Sequence, residues 1–100
     1  MIYFTQLIYI KAGEEQTFHE FENVALPLLK QYNGDLLLRI RPAEFQKIEG
    51  SMEMPYEIHL VSFSSETDFE NFKGDKTRSN FLHLKEKSIR SVLLIKGKEI

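Results

Sequence analysis

The sequence predicts a single α+β domain over residues 1–100, built from four strands and two helical segments in the order β-α-β-β-α-β. Stretches rich in β-branched and aromatic residues alternate with stretches in which apolar residues recur every three or four positions. Of the 100 residues, 32 are Leu, Ile, Val or Phe. This is enough for one hydrophobic core, whereas the length is too short for two ordinary domains.

The first strand and the first helix follow each other at the start of the chain. Residues 2–10 are rich in Ile, Tyr, Phe and Leu, which predicts a strand, and Gly13 follows its end. A helix is predicted from Glu14, because the apolar residues then recur at helical spacing. These residues are Phe18, Phe21, Ala25, Leu28, Leu29 and Tyr32. Pro27 is expected to bend this helix because it removes one interior hydrogen bond, and Asn33-Gly34 is a stop signal.

Two strands are predicted in the middle of the chain. Residues 35–41 form the first of them and end before Pro42, because proline cannot donate to a strand ladder. Residues 43–55 are a polar connection, and residues 56–63 form the next strand.

The second helical segment is predicted in two pieces. Ser65 to Asp68 approximates a capping box and opens a short helix that Gly74 interrupts, and Asp75 caps a second helix over about residues 76–88. The last strand covers residues 90–96. This order is the ferredoxin-like arrangement, in which the four strands form one antiparallel sheet and both helical segments lie on one of its faces.

Both faces of the predicted sheet are apolar. On the first strand, Phe4 and Ile8 point one way, and Leu7 points the other way. On the last strand, Leu94 and Leu93 likewise point to opposite faces. Because the helices cover only one face, the other would expose a large apolar patch. A two-fold homodimer with its sheets face to face is the simplest cover. The alternative is a mildly apolar open face that carries a small ligand.

The sequence resembles a family of domains of this length and of unknown function in the dimeric α/β-barrel superfamily. The resemblance rests on four segments: residues 25–34, 37–39, 56–63 and 75–78. It implies two sheets packed into a barrel-like dimer, with a small interior cavity beside each subunit. It also makes Pro27 a family feature. The superfamily includes cofactor-independent monooxygenases, lactone isomerases and haem enzymes, so the fold does not select a reaction.

Strand alternation groups five polar side chains on neighbouring strands. They are Gln6, Arg39, Arg41, Glu57 and His59. If the purely apolar sides of the strands meet the helices, this cluster lines the open face. His59 and Glu57 are then the candidate catalytic residues for proton transfer. Arg39, Arg41 and Gln6 are candidates for binding a small polar, anionic or aromatic organic molecule. The alternative is structural, with Arg39–Glu57 and Arg41–His59 pairing across the strands.

Other notable residues have structural explanations. A helix cap and an i,i+3 ion pair account for Asp75 and Arg78, and the rim of a pocket is the alternative. His19, His59 and His83 fall on different predicted elements, so no metal site is predicted. Residues 73–98 carry eight basic and two acidic side chains. These are expected to form a solvated helix face, and the alternative is that they steer an acidic ligand.

Composition narrows the classes of function. The chain has no cysteine, no readable secretory signal and no apolar run near the roughly 18 residues of a membrane span, which fits a cytoplasmic protein without a membrane partner. A pI of about 5.9, and the lack of an RNA-binding aromatic motif in residues 55–63, argue against nucleic acid. The leading hypothesis is a homodimer that binds a small organic molecule without a cofactor, with an oxygenase-like or isomerase-like activity. The alternative is a non-enzymatic dimeric sensor or interaction module.

Overall fold

The computed structural model describes all residues from 1 to 100 and contains the predicted four-stranded antiparallel sheet. The strands are β1 (Ile2–Ile10), β2 (Gly34–Ile40), β3 (Glu57–Phe63) and β4 (Ile89–Gly97). The helices are α1 (Glu15–Leu28), α2 (Glu66–Lys73), α3 (Lys76–Asn80) and α4 (Leu82–Ser88). The strand order β2-β3-β1-β4 confirms the ferredoxin-like α+β fold. None of the helices combines the length and the apolar character that crossing a membrane requires.

Helix α1 ends next to Pro27, where the sequence predicts a bend. Pro27 is its penultimate residue, and a 3-10 turn over Leu29–Tyr32 continues the chain. Proline has no N–H to donate to the preceding turn, which favours this change of helix type. Asn33 then adopts the left-handed conformation, with φ of 54°, and Gly34 begins β2. The predicted stop at Asn33-Gly34 is therefore confirmed.

The second helical segment has the predicted caps and one additional break. The Ser65 hydroxyl accepts a hydrogen bond from the Asp68 amide, and the Asp75 carboxylate accepts one from the Arg78 amide. The helix predicted over residues 76–88 is divided in two at Phe81, whose amide bonds to the preceding turn. The predicted Asp75–Arg78 ion pair does not form. Asp75 instead accepts a hydrogen bond from the Tyr32 hydroxyl.

The helices cover the opposite face of the sheet from the one predicted. A buried aromatic and aliphatic cluster joins the sheet to α2 and to the 3-10 turn: Phe4, Leu29, Val61, Phe63 and Phe69. Glu57 and His59 lie on this same face and are only 1% and 2% exposed. The uncovered side, here called the open face, carries Leu38, Ile40, Leu93 and Ile95, each between 42% and 49% exposed. The expectation that the purely apolar sides meet the helices is wrong, because the polar side chains are hydrogen-bonded to one another and so tolerate burial.

A bulge in β2 places Arg39, and Arg41 after it, on the same face of the sheet as the buried Glu57 and His59. Leu36 pairs with Val61, but Leu38 pairs with Leu60, so the register shifts by one residue between them. A shift of one residue exchanges the two faces of a strand. Leu36 and Arg39 therefore share the helix-covered face, although simple alternation separates them. Strict alternation along residues 35–41 would predict that Leu36 lies with Leu38, and the bulge makes that expectation wrong.

Gly34 has the most crowded surroundings of the five glycines. A Cβ atom added there would lie 2.8 Å from the Phe63 ring and 3.0 Å from the Leu29 carbonyl oxygen. We expect Gly34→Ala to lower the free energy of unfolding by about 1–3 kcal/mol, measured by urea denaturation, because the buried ring must move. The matched control is Gly97→Ala, where an added Cβ meets nothing within 4 Å. Equal effects of the two substitutions would contradict this explanation.

Candidate functional site

A cavity of about 230 Å³ lies between the sheet and the helices. Most of its wall is apolar, and aromatic rings from β1, β3, α1 and α2 contribute much of it: Phe4, Phe21, Phe63, Phe69 and Phe72. Six polar or charged side chains also line it: Gln6, Glu22, His59, Lys73, Arg78 and Lys85. An apolar cavity with a few polar groups is the usual form of a small-molecule site. Because an apolar cavity of about 150 Å³ is enough for benzene, this one has room for a small organic molecule.

Glu57 is a buried carboxylate at the centre of an ionic network beside this cavity, and the two arginines of the network reach it from the surface. Its carboxylate accepts hydrogen bonds from Arg39 Nε at 2.7 Å, from Arg39 Nη2 at 3.1 Å and from Arg41 Nε at 3.0 Å. A further bond comes from Arg41 Nη2. Burial alone raises the pKa of Glu57, but the hydrogen bonds from Arg39, His59 and Arg41 outweigh it and lower the pKa to about 2. Glu57 is therefore ionised at neutral pH.

The ionised Glu57 determines which nitrogen of His59 carries a proton. His59 Nε2 lies 2.8 Å from Glu57 Oε1, and a carboxylate only accepts hydrogen bonds, so Nε2 must donate. Burial lowers the pKa of His59 more than Glu57 raises it. The ring is therefore neutral at physiological pH, and Nδ1 is free to accept a proton. Nδ1 lies 3.8 Å from Glu22 Oε2.

Glu22 is a buried carboxyl group that the sequence analysis did not select. It lies on α1 and lines the cavity next to His59. Burial raises the pKa of Glu22 to about 7, and the positive charge of Arg39 opposes this only in part. A carboxyl group that is half-protonated near pH 7 suits general acid–base chemistry. The sequence indicates its burial, because Glu22 follows Phe18 by four residues and precedes Ala25 by three. This spacing places it on the apolar face of α1.

The five predicted site residues lie on one face of the sheet, but only two of them line the cavity. His59 and Gln6 line the cavity. Glu57 holds His59, and Arg39 and Arg41 bind Glu57 rather than line the cavity. The predicted Arg39–Glu57 pair is present, whereas Arg41 pairs with Glu57 instead of His59. The expectation that these residues line a cavity on the open face is wrong, since the cavity that holds His59 and Gln6 lies under the helices. A hollow on the open face is lined instead by Leu7, Ile58 and residues of the segment 47–55.

The other histidines lie outside the cavity, whereas part of the basic segment lines it. His19 Nε2 lies 2.8 Å from the Tyr56 hydroxyl, and His83 is exposed beside Phe81. No group of three or more His, Asp or Glu side chains is arranged to hold a metal ion. The basic segment, residues 73–98, is only partly the solvated face that the sequence predicts, because three of its side chains line the cavity.

Comparison with solved structures identifies proteins of the same fold. A protein of unknown function from Rhodopseudomonas palustris, RPA0582, matches with a TM-score of 0.85 at 11% identity, over 99% of this chain and 82% of that one. An uncharacterized NIPSNAP domain protein from Burkholderia xenovorans matches with a TM-score of 0.71 at 11% identity, over 100% and 95% of the two chains. A protein named "Putative antibiotic biosynthesis monooxygenase" from Nitrosomonas europaea matches with a TM-score of 0.74 at 9% identity, over 100% and 99%.

These matches confirm the ferredoxin-like fold and the predicted resemblance to domains of this length and of unknown function. The sequence identities are low, so the likeness concerns the fold alone. No protein-family model matches the sequence, and no curated protein matches it either.

The raised pKa of Glu22 predicts a specific dependence of stability on pH. Its pKa is about 7 in the folded protein and 4.5 as the reference value, so the folded state binds more protons between these two pH values. The free energy of unfolding therefore falls as the pH rises through this window. We expect Glu22→Gln to be more stable than the wild type at pH 8 by up to about 3 kcal/mol, and equally stable at pH 4.

Urea denaturation at the two pH values measures this difference. The matched control is Glu20→Gln, which removes an exposed carboxylate from the same helix and is expected to change stability equally at both. A Glu22→Gln effect that does not vary with pH would show that the group titrates normally.

Proposed function

We propose that this protein binds a small, largely apolar organic molecule in the cavity under the helices and that Glu22 transfers a proton to or from it. The observation that carries the proposal is a carboxyl group with a pKa of about 7 in a mostly apolar cavity of about 230 Å³. The apolar wall supplies the binding energy. The same wall limits the access of water, so that charges within the cavity interact strongly.

The polar residues around the cavity have distinct proposed roles. Glu22 is the proton acceptor in its ionised form and the donor in its protonated form. His59 Nδ1 is a second acceptor beside it, and Gln6 offers an amide to polar atoms of the ligand. Glu57 is a positioning residue, because it orients His59 and does not line the cavity.

Proton transfer alone favours an isomerase-like reaction. Moving a proton between two carbon atoms of one molecule requires a single group that accepts and then returns it, and a carboxyl group of pKa about 7 does both near neutral pH. Cofactor-independent oxygenation is the second candidate. The name of the Nitrosomonas europaea protein that shares the fold supports an oxygenation but says nothing of a cofactor. The reaction would begin with the same removal of a proton and would use molecular oxygen as the oxidant.

We also propose that a second copy of the chain covers the open face. The four exposed aliphatic residues of this face lie on strands at both edges of the sheet: Leu38, Ile40, Leu93 and Ile95. Leu7, Ile58 and Leu60 lie between them on the central strands and are only half-buried. Two identical apolar faces related by a two-fold axis would cover each other.

The surface area of the isolated chain supports this assembly. The chain exposes 6513 Å², whereas a monomer of 11.8 kDa is expected to expose about 5,900 Å². The excess of about 600 Å² approaches the roughly 800 Å² that each partner buries in a standard interface. The shape agrees with this excess, because the molecule is a slab with Cα extents of 37 × 36 × 16 Å.

A screen of small aromatic and alicyclic carbonyl compounds tests the proposed ligand site and reaction. We expect some of them to raise the melting temperature of the wild type, because a ligand that binds only the folded state stabilises it. Ala25→Leu narrows the cavity and is expected to abolish the shift, whereas the exposed Asn23→Leu on the same helix is expected to retain it. Circular dichroism checks that both variants are folded.

Exchange of ligand protons in heavy water, followed by nuclear magnetic resonance, then tests the reaction. We expect Glu22→Gln to slow this exchange by about 100-fold, the lower range for general acid–base catalysis. Binding without exchange would overturn the proton transfer and favour the non-enzymatic sensor. The absence of any compound that distinguishes the wild type from Ala25→Leu would overturn the ligand site.

Sedimentation velocity tests the dimer. We expect the wild type to sediment as a species of twice 11.8 kDa and Leu93→Glu to sediment as a monomer, because a carboxylate on the open face would lose its water on assembly. Thr67→Glu, an exposed position on α2, is the matched control and is expected to remain dimeric. A monomeric wild type at high concentration would contradict the assembly.

A further inference from the structure

Three cationic side chains reach the cavity from the second helical segment. Lys73 lies at the end of α2, Arg78 on α3 and Lys85 on α4, and all three line the cavity. Lys73 is paired with Glu70 at 3.2 Å. Arg78 and Lys85 form no ion pair within 4 Å, although both are half-buried. Two partly desolvated cations without a counter-ion are unfavourable, which points to a missing anionic partner.

The Arg78 guanidinium is held in place with one edge free of hydrogen bonds. Its Nη1 donates to the Lys73 carbonyl oxygen at 3.2 Å. The rings of Phe72 and Phe21 lie 5.3 Å and 5.9 Å from its central carbon. Its Nε is buried and has no acceptor. Nε and Nη2 form the edge of the guanidinium that matches the two oxygens of a carboxylate, so the unpartnered atom belongs to a fork suited to that group.

The charges that line the cavity do not balance. Glu22 is the only acidic residue among the lining side chains, and its pKa of about 7 leaves it half-protonated at neutral pH. His59 is neutral and Lys73 has its own partner. Burial lowers the pKa of both Arg78 and Lys85, and the nearby carboxylates oppose this only in part. A guanidinium keeps its charge in proteins, so the basic side chains that line the cavity outnumber its one acidic side chain.

We propose that Arg78 and Lys85 bind the carboxylate of a small apolar organic acid whose hydrocarbon part occupies the cavity. This inference rests on the proposed function and extends it by naming the class of ligand. A carboxylate supplies the acceptor that Arg78 Nε lacks and neutralises the excess charge. The mostly apolar wall favours a hydrocarbon body, because a sugar or a nucleotide would leave polar groups without partners there.

Anchoring at these two residues would also orient the ligand. The anchoring cations come from α3 and α4, whereas Glu22 and His59 come from α1 and β3. A carboxylate bound by Arg78 and Lys85 would fix one end of the ligand in the cavity that Glu22 and His59 also line. The arginine and lysine are therefore binding and orienting residues, and Glu22 remains the proton-transfer group.

Calorimetric titration with matched carboxylate and amide probes tests the inference. The pairs are phenylacetate with phenylacetamide, hexanoate with hexanamide, and cyclohexanecarboxylate with its amide, all at pH 7. We expect the wild type to bind a carboxylate about 10-fold to 100-fold more tightly than its amide, the value of one or two charge-assisted hydrogen bonds. Arg78→Met and Lys85→Met are each expected to lower the ratio of carboxylate affinity to amide affinity about 10-fold, with the affinity for the amide unchanged.

Two further variants keep the test decisive. Lys76→Met removes an exposed cation from the same helix as Arg78 and is expected to bind both probes like the wild type. The Lys85 side chain donates no hydrogen bond whose loss would destabilise the fold. If Arg78→Met does not fold, Lys85→Met therefore tests the carboxylate site by itself. Carboxylates and amides that bind equally, and no longer bind to Ala25→Leu, would overturn the carboxylate site and leave the proposed function standing. A wild type that binds none of the six probes would overturn both.

Discussion

The rest of the site depends on the ionic contacts that Glu57 makes with Arg39 in β2 and with Arg41 just after it. A buried carboxylate without partners would be protonated or would destabilise the fold, and here Arg39 and Arg41 keep it ionised. The ionised carboxylate holds the His59 ring and leaves Nδ1 free beside Glu22. A contact outside the cavity thus orients the neutral imidazole of His59, and α1 places the carboxyl group of Glu22 beside it.

The two faces of the sheet differ because a buried charge needs hydrogen-bonded partners, whereas a buried hydrocarbon side chain does not. The carboxylate of Glu57 lies under the helices within a connected network, and the bulge in β2 contributes to it by placing Arg39 on the same face as Leu36. The open face has no such network, and most of its exposed side chains are aliphatic, with Thr5 between Leu60 and Ile95. The cavity and the proposed subunit contact therefore lie on opposite sides of the sheet.

Glu22 shows how a fold changes the chemistry of an ordinary residue. On an exposed helix its carboxyl group would be fully ionised at neutral pH, but burial between α1 and the sheet raises its pKa to about 7. The nearby cations oppose this shift only in part. Arg78 and Lys85, from the other helical segment, leave the cavity in need of an anion, so acid–base chemistry and the recognition of a charged ligand would share one cavity.

By itself, the sequence determined the order of the strands and helices, the caps at Ser65 and Asp75 and the grouping of Gln6, Arg39, Arg41, Glu57 and His59 on one face. These features follow from local periodicity and local hydrogen bonds. Only the tertiary structure decided which face the helices cover, because that choice depends on whether the buried charges find partners on neighbouring strands. The register shift in β2, the raised pKa of Glu22 and the entry of Arg78 into the cavity likewise arise from contacts between segments far apart in the chain, which spacing along one strand or helix does not reveal.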